Sequence, residues 1–368
     1  MGLSNSEPAF KLINGIKWAY LKRGNGRNLL CMASTYELFE KIEKKAKIDF
    51  HSLYVQKQII GLSADTGGFR NLFNKFSALK RKLKLQGGEI EYEMCGGDVL
   101  LTRLTIDLNY HNVNVKGVGL YEVQKDIKDE WAPKPVKSIS TTHAAVNGTV
   151  KSIEQSAKLL PDFINHGYPQ APLGNKDKYT LFHNPYNGFA DADWKCIQDS
   201  TGIFGGTQAA RQLAAAIEIA AKEHREVNWT VHERGCAIFK QALRLVNTAP
   251  QYDYSKQTVF YANAVVNIEL IDQQRKRVGM QLSKKGFLTN KTSVHQGFIA
   301  GNWVSESAIL WQMGNKGGAI TKGLARITKI GGATTFSIAM PGLMGAAPWV
   351  IGLIGMLGPN LFARYSNQ

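Results

Sequence analysis

Cysteine is scarce in this chain: four residues of 368, with no C-x-x-C pair. A disulfide framework is therefore not expected, and no zinc-type ligand cluster is visible. The first ten residues lack both the basic flank and the apolar run of a secretory signal peptide. We therefore expect no metal and no cofactor, and a protein that is membrane-associated or exported without a standard signal peptide.

Negative charge is also in short supply. The 29 acidic residues are outnumbered by 45 lysines and arginines, the formal net charge is +16, and no Asp or Glu follows Glu306. Such a balance indicates an anionic partner, although the basic runs at 75–84 and 275–277 are each typical of a solvated helix face. Zinc-finger, RRM-type and P-loop motifs are absent. The expected partner is therefore anionic membrane lipid, and nucleic acid is not expected.

The first of three predicted parts, residues 1–131, has the pattern of a small α+β module. A lysine-rich amphipathic helix is followed by two alternating β runs around a Cys-Gly-Gly-Asp turn, a typical hairpin pattern, and by a candidate third strand; these elements lie at 35–46, 89–94, 99–106 and 113–123. Pro133 and Pro135 mark the end of this part, because two prolines so close together interrupt regular structure.

The second part, residues 136–307, alternates strand-like and helix-like segments. Predicted strands lie at 136–146, 178–183, 227–231 and 257–271, and predicted helices at 150–163, 189–200, 207–223 and 237–246. This alternation predicts an α/β fold with a mostly parallel sheet and helices on both faces. In such sheets the site lies at the carboxyl ends of the strands, where Asn147, Asn184 and Glu233 are expected.

The third part, residues 308–368, is a basic, glycine-rich and hydrophobic tail. Residues 330–363 carry no charged side chain. A helix needs about 20 apolar residues to span a bilayer, and Pro341 and Pro348 interrupt this run, which favours a broken or hairpin insertion. The alternatives are a hydrophobic hairpin buried against the globular part and a disordered tail. The side chains expected to contact lipid are Leu343, Trp349, Ile351, Leu353 and Leu357.

The pattern at 227–246 is the most informative in the chain. A β-type run leads into a tight turn at Gly235, and a helical run follows at once. Strand, sharp turn and helix in that order form the frame of the nucleophile elbow, G-x-S-x-G. In this chain Val231 stands at the first glycine of that motif and Glu233 at the serine.

The second part resembles the α/β-hydrolase superfamily, in particular lipase/esterase-like domains of bacterial effector- or toxin-like proteins. Three segments carry the resemblance, in order and with plausible spacing: a V-N-G turn, an N-P-x-x-G segment and the elbow, at 143–149, 182–191 and 229–236. The resemblance implies an oxyanion hole near the V-N-G turn and a triad of nucleophile, acid and histidine. It covers about 140–250 and leaves the first and third parts outside.

A hydrolase triad on this frame would use Glu233, His295 and Asp272, with Asp253 as an alternative acid. The oxyanion hole and pocket would comprise Gly148, Asn147, Arg234 and Asn184. Cys236 is an alternative nucleophile on the elbow helix, but a cysteine in that place is more often a small packing residue. His232, just before the apex, is expected to pack or to bond the backbone.

The departure at Glu233 decides the expected function. Ester hydrolysis normally needs a serine that a histidine activates, and no G-x-S-x-G occurs elsewhere in the chain. We therefore expect a membrane-associated, effector- or toxin-like protein of bacterial origin, built on a catalytically degenerate hydrolase scaffold. Its tail is expected to engage bilayers. A secretion or immunity protein is a further expected partner. The alternative is an active lipid or ester hydrolase with an atypical Glu or Cys site.

Overall fold

The structure, a computed structural model, describes residues 9–24, 27–64, 79–110, 117–148, 150, 152–174, 177–185 and 207–289. The chain divides into two compact units, 1–302 and 303–368, and all described residues belong to the first unit. Two β-sheets with helices form its architecture. The prediction of an α/β fold is thus confirmed at the level of class.

The first sheet has six strands in the order β1-β2-β3-β6-β5-β4. Only β3 and β6 run parallel; their neighbours pair antiparallel. Helices α1 and α2 follow β3, and α1 packs against β2, β3 and β6. The elements are β1 (Phe10–Ile13), β2 (Ile16–Lys22), β3 (Asn28–Met32), α1 (Ala33–Lys45), α2 (Phe50–Gly61), β4 (Leu79–Leu85), β5 (Gly88–Cys95) and β6 (Asp98–Ile106).

The basic run at 75–84 is not a helix face where the structure describes it. Strand β4 occupies the edge of the first sheet, and its lysines face the glutamates of β5. Lys82 Nζ lies 2.7 Å from Glu91 Oε1, and Lys80 Nζ lies 3.5 Å from Glu93 Oε1. Alternating lysines separated by apolar or basic residues suit one face of an exposed edge strand, where charge also blocks pairing with other chains.

The second sheet has seven strands in the order β13-β12-β11-β9-β10-β7-β8. The five strands from β13 to β10 are parallel, and β7 and β8 add an antiparallel hairpin at one edge. Both sheets are therefore mixed, and the prediction of a mostly parallel sheet was wrong. The strands are β7 (Gly119–Lys125), β8 (Trp131–Pro135), β9 (His143–Val146), β10 (Lys178–His183), β11 (Val227–His232), β12 (Gln257–Ala262) and β13 (Gln281–Leu288).

The two prolines expected to break the chain instead lie in a strand. Pro133 and Pro135 belong to β8, which pairs with β7 and with no other strand in the described part of the chain. A proline cannot donate to a strand ladder, but an edge strand tolerates it because one side of the strand has no partner. The third strand expected in the first part, at 113–123, corresponds in part to β7, which likewise joins the second sheet.

Helices cover both faces of the second sheet. Helix α3 packs on one face against Tyr121, Ala145 and Leu181, which share that face in the strand register. Trp229 points to the other face and meets Phe239 of α5 at 5.6 Å between ring centroids, and α4 packs beside α5. The helices are α3 (Ile153–Gly167), α4 (Gln208–Lys222), α5 (Gly235–Leu245) and α6 (Ile268–Val278).

The segment predicted as one strand at 257–271 divides into a strand and a helix. β12 ends at Ala262, and α6 begins after Asn267, whose side chain accepts from the backbone N–H groups of Glu269 and Leu270. The helix ends at Gly279, in the left-handed conformation at φ 86°. The N-cap asparagine and the terminal glycine were the signals in the sequence for this helix.

Among the helices that the structure describes, none has both the length and the apolar character needed to cross a bilayer. The tail at 308–368, with the five side chains expected to contact lipid, lies outside the described residues.

Candidate functional site

Polar side chains gather where the central parallel strands end. Val146 of β9 is in register with Phe182 of β10 and with Val231 of β11. The next residues, Asn147, His183 and His232, therefore form one row on the face of the sheet covered by α3. All three are buried, at 1%, 1% and 3% exposure. The site was expected at this row because sites in such sheets lie at the carboxyl ends of the parallel strands.

The turn after β11 has the backbone of a sharp elbow. Glu233 adopts φ 46°, a left-handed conformation that a non-glycine residue rarely takes. Its N–H donates to the carbonyl of Ala262 at 2.9 Å, and its own carbonyl accepts from the N–H of Cys236 at 3.1 Å. Helix α5 then begins at Gly235. The strand, turn and helix predicted at 227–246 are thus all present, with Glu233 at the apex.

Two glycines allow the elbow to sit against the end of β9. A Cβ on Gly148 would lie 2.6 Å from the Cβ of Glu233, 2.8 Å from its Oε2 and 2.9 Å from Nδ1 of His232. A Cβ on Gly235 would lie 2.6 Å from the carbonyl oxygen of Asn147. Distances below 3.0 Å are steric overlaps, so both positions require glycine. The carboxylate of Glu233 consequently lies directly against the loop that follows β9.

The loops after β9 and β10 are tied together by Asn147. Its Oδ1 accepts from the N–H of Asn184 at 2.7 Å, and its Nδ2 donates to the carbonyl of Asn184 at 3.1 Å. The two hydrogen bonds of this side chain thus take the place of backbone hydrogen bonds beyond the ends of the two strands. Asn147, Gly148, Asn184 and Glu233, predicted as pocket and apex residues, are brought to one edge of the sheet, and Arg234 follows the apex as the N-cap of α5.

His232 is a neutral, packed imidazole beside the apex carboxylate. Its ring lies 4.6 Å from that of Phe163 on α3, and Nε2 is 3.9 Å from Glu233 Oε1. Burial lowers the pKa of His232, and the charge of Glu233 offsets this only in part. Within the described residues, Nδ1 has no hydrogen-bond partner. The Glu233 side chain is 29% exposed, so the pair combines a buried base with a partly open carboxylate.

His183 was not singled out from the sequence, yet it occupies the same row. Burial lowers its pKa to about 4, and the charge of Glu154 opposes this shift. Its ring meets Tyr121 edge-on at 6.2 Å. The signal was its position as the last residue of a strand predicted to end at the site edge. At neutral pH both histidines of the row are therefore uncharged.

The remaining predicted catalytic residues do not join this cluster among the described residues. Asp272 lies on α6, where its carboxylate is buried and paired with Arg275 at 2.6 Å and with Lys276 at 3.2 Å. Cys236 is fully buried, and its thiol donates to the carbonyl of Val231 at 3.4 Å. His295 lies outside the described residues. The expected triad of Glu233, Asp272 and His295 therefore stays a prediction.

One cavity of about 360 Å³ lies away from this edge, between α2 and α4. Its wall carries an ion pair between Lys57 and Glu218, and the N–H of Asn247 also donates to Glu218 at 2.7 Å. These polar groups already satisfy one another. The carboxyl edge, with its strained apex and buried imidazoles, is the stronger candidate site.

Among the described residues, no group of three His, Cys, Asp or Glu side chains is placed to hold a metal ion. Comparison of the chain with protein-family models, with curated proteins and with solved structures finds no match in any of the three.

Proposed function

We propose that this protein is a membrane-associated, effector- or toxin-like protein in which a catalytically degenerate hydrolase-type scaffold carries a bilayer-engaging tail at 308–368. The observation that carries the proposal is Glu233 at the apex of the strand–turn–helix. The left-handed backbone there is the conformation in which hydrolases of this type expose a nucleophile. Here a carboxylate takes that place.

The position of this carboxylate opposes ester hydrolysis. An elbow hydrolase binds the developing oxyanion with the N–H after the nucleophile and an N–H from a neighbouring strand–helix loop. The loop after β9 is the counterpart in this fold, and Glu233 Oε2 lies against its Gly148. A fixed negative charge there would repel the charge that forms in the transition state.

The candidate acid also favours a scaffold. The carboxylate of Asp272 is 3% exposed and holds the buried guanidinium of Arg275. A triad acid must instead orient a histidine. Asp272 is therefore better explained as a structural anchor of α6.

The membrane part of the proposal rests on the sequence of the tail. Residues 330–363 are uncharged, and the residues before them carry lysine and arginine with no carboxylate after Glu306. An apolar segment preceded by basic residues suits an anionic lipid surface.

A second candidate, an ester or lipid hydrolase that uses Glu233, is favoured by one specific observation. Its Oε1 lies 3.9 Å from Nε2 of the buried neutral base His232. Strained backbone at a carboxylate next to a base is a feature of many active sites. In this alternative the carboxylate attacks the acyl carbon of the ester, the ester C–O bond breaks and the alcohol leaves. His232 then takes a proton from the water that hydrolyses the resulting anhydride, which releases the acid and restores the Glu233 carboxylate.

Glu233→Ala in the full chain separates the two candidates. Dye release from anionic liposomes and turnover of p-nitrophenyl esters of several chain lengths are measured on the same preparation. Glu130→Ala, at an exposed glutamate with its side chain 60% accessible, is the matched control. The scaffold proposal expects unchanged dye release and no ester turnover by either protein. Turnover by the wild type that Glu233→Ala abolishes would establish the hydrolase instead.

A further inference from the structure

The β1–β2 hairpin projects an apolar tip from the edge of the first sheet. Phe10 pairs with Ala19 and Ile13 with Ile16, and among the described strands β2 is the only neighbour of β1. The turn consists of Asn14 and Gly15, both left-handed at φ 52° and 75°. Two such residues form the tight turn that matches the twist of a hairpin, so the tip is a compact, defined feature.

Large apolar side chains are concentrated at this tip. Leu12 is 73% exposed, Ile16 48% and Phe10 38%. These are three of the seven large hydrophobic residues exposed in the described part of the chain, and they fall within seven consecutive positions. Scattered exposed residues are ordinary, but a cluster indicates a contact surface.

The two most exposed of these side chains point to opposite faces of the hairpin. Leu12 lies opposite Lys17, and Ile16 lies opposite Ile13, so their strand positions differ in parity. A protein partner laid on one face of the hairpin would cover only one of the two. A partner into which the tip of the hairpin inserts end-on would bury both Leu12 and Ile16.

The charged residues of the hairpin and of the loop after it are all basic. Five basic residues and no Asp or Glu occur between positions 8 and 36: Lys11, Lys17, Lys22, Arg23 and Arg27. Lys11 is neutralised by Asp98, with Nζ 2.5 Å from Oδ2. The other four contact neutral groups, namely the rings of Phe10 and Tyr20, the hydroxyl of Ser63 and the carbonyl of Gly96.

We propose that the tip of the β1–β2 hairpin, Leu12 to Ile16, is a docking surface for an anionic lipid bilayer, into which Leu12 and Ile16 insert while Lys17, which lies opposite Leu12, binds the phosphate headgroups. The charge of the hairpin is complementary to such a surface, and long basic side chains can reach headgroups from beside an inserted apolar tip. This surface is independent of the tail at 308–368 and assigns a role to the first part of the chain.

The test is co-sedimentation of the full chain with vesicles of phosphatidylcholine containing 30% phosphatidylserine, and with pure phosphatidylcholine. Leu12→Asp and Ile16→Asp are compared with Leu270→Asp and Ile127→Asp, which place the same changes at exposed positions elsewhere, 45% and 102% accessible. All four sites are exposed, so the fold is expected to survive, and circular dichroism checks this.

Each hairpin variant is expected to bind anionic vesicles at least about tenfold more weakly, because burial of one large aliphatic side chain is lost. The two controls are expected to bind as the wild type does, and binding by the wild type is expected to weaken with salt and without phosphatidylserine. Wild-type binding by both hairpin variants would overturn the proposal.

The same assay with Ile351→Asp keeps this inference separate from the proposed role of the tail. If Ile351→Asp alone abolishes binding, the hairpin surface is refuted while the tail stands. If the hairpin variants alone lose binding, the tail fails and the hairpin surface stands. Loss of binding by each of the three single variants would support both the hairpin surface and the role of the tail.

Discussion

Gly148→Ala tests the close approach between the loop after β9 and the apex of the elbow. The added Cβ would lie 2.6 Å from the Cβ of Glu233 and 2.9 Å from Nδ1 of His232. The backbone at 148 is not in the left-handed region, so alanine meets no conformational penalty of its own there. Any loss of stability therefore comes from the contact with the elbow.

The expected size of this loss follows from overpacking. Forcing a methyl group into a filled site typically costs about 1–3 kcal/mol. Glu233→Gly alone acts in the opposite direction on the backbone, because glycine removes a left-handed strain of about 1–2 kcal/mol at φ 46°. In the double variant Gly148→Ala with Glu233→Gly, much of the lost unfolding free energy should return, because the Cβ and carboxylate of Glu233 that the new methyl group would contact are absent.

A double-mutant cycle measured by urea unfolding quantifies this coupling. We expect Glu233→Gly to reduce the destabilisation by Gly148→Ala by about 1 kcal/mol or more. Glu233→Ala keeps the Cβ and should rescue less than glycine does. Asn14→Gly, at another left-handed residue with φ 52° in the β1–β2 turn of the first sheet, is the control and should be additive with Gly148→Ala. Additivity with Glu233→Gly as well would refute the close approach.

Three further changes test the surroundings of the site. The pKa of His183 is about 4 in the fold and about 6.5 in the unfolded chain, so its contribution to the unfolding free energy is fully present above pH 6.5. As the pH falls towards 4, up to about 3 kcal/mol of this free energy is lost. His183→Asn should flatten this part of a curve of unfolding free energy against pH. Asp272→Asn should lower the unfolding free energy by about 3 kcal/mol or more, because Arg275 is left buried without its counter-charge. Thermal melting measures this loss, and an unchanged melting temperature would contradict a buried ion pair. Tyr168→Phe removes a hydroxyl that donates to the carbonyl of Trp229 at 2.8 Å and should cost about 1–2 kcal/mol by urea unfolding; an unchanged midpoint would argue against this bond.

The elbow could be predicted from sequence because its signals are local. A β run, a glycine and an apolar helical period follow one another within 20 residues, and each constrains the backbone directly. The left-handed conformation of Glu233 could not be predicted in the same way. Nor could the close approach of the end of β9 to this turn, for which Gly148 and Gly235 leave the space.

Errors occurred where tertiary position overrides local preference. Pro133 and Pro135 fit a strand only because β8 is an edge strand. The lysines of β4 face glutamates of β5, a pairing that spacing along one segment does not reveal. The mixed character of the second sheet likewise arises because the β7–β8 hairpin pairs with β10, far along the chain.

His183 shows what the sequence could have added to the site. Its placement beside Asn147 follows from the register between β9 and β10. The ends of β9 and β10 were predicted close to their observed positions, but the order of the strands in the sheet was not predicted. A histidine ending a buried strand is therefore recognisable as a site candidate only once its neighbours are known.

The measurement that tests the central proposal most directly is dye release from anionic liposomes by the full chain and by Ile351→Asp. An acidic side chain at the centre of a bilayer costs about 2.5–3.5 kcal/mol, enough to weaken insertion by about a hundredfold. Ile127→Asp, the same change at a fully exposed position, is the control. We expect dye release by the wild type and by the control, and little release by Ile351→Asp. Equal release by all three proteins, or none by the wild type, would contradict it.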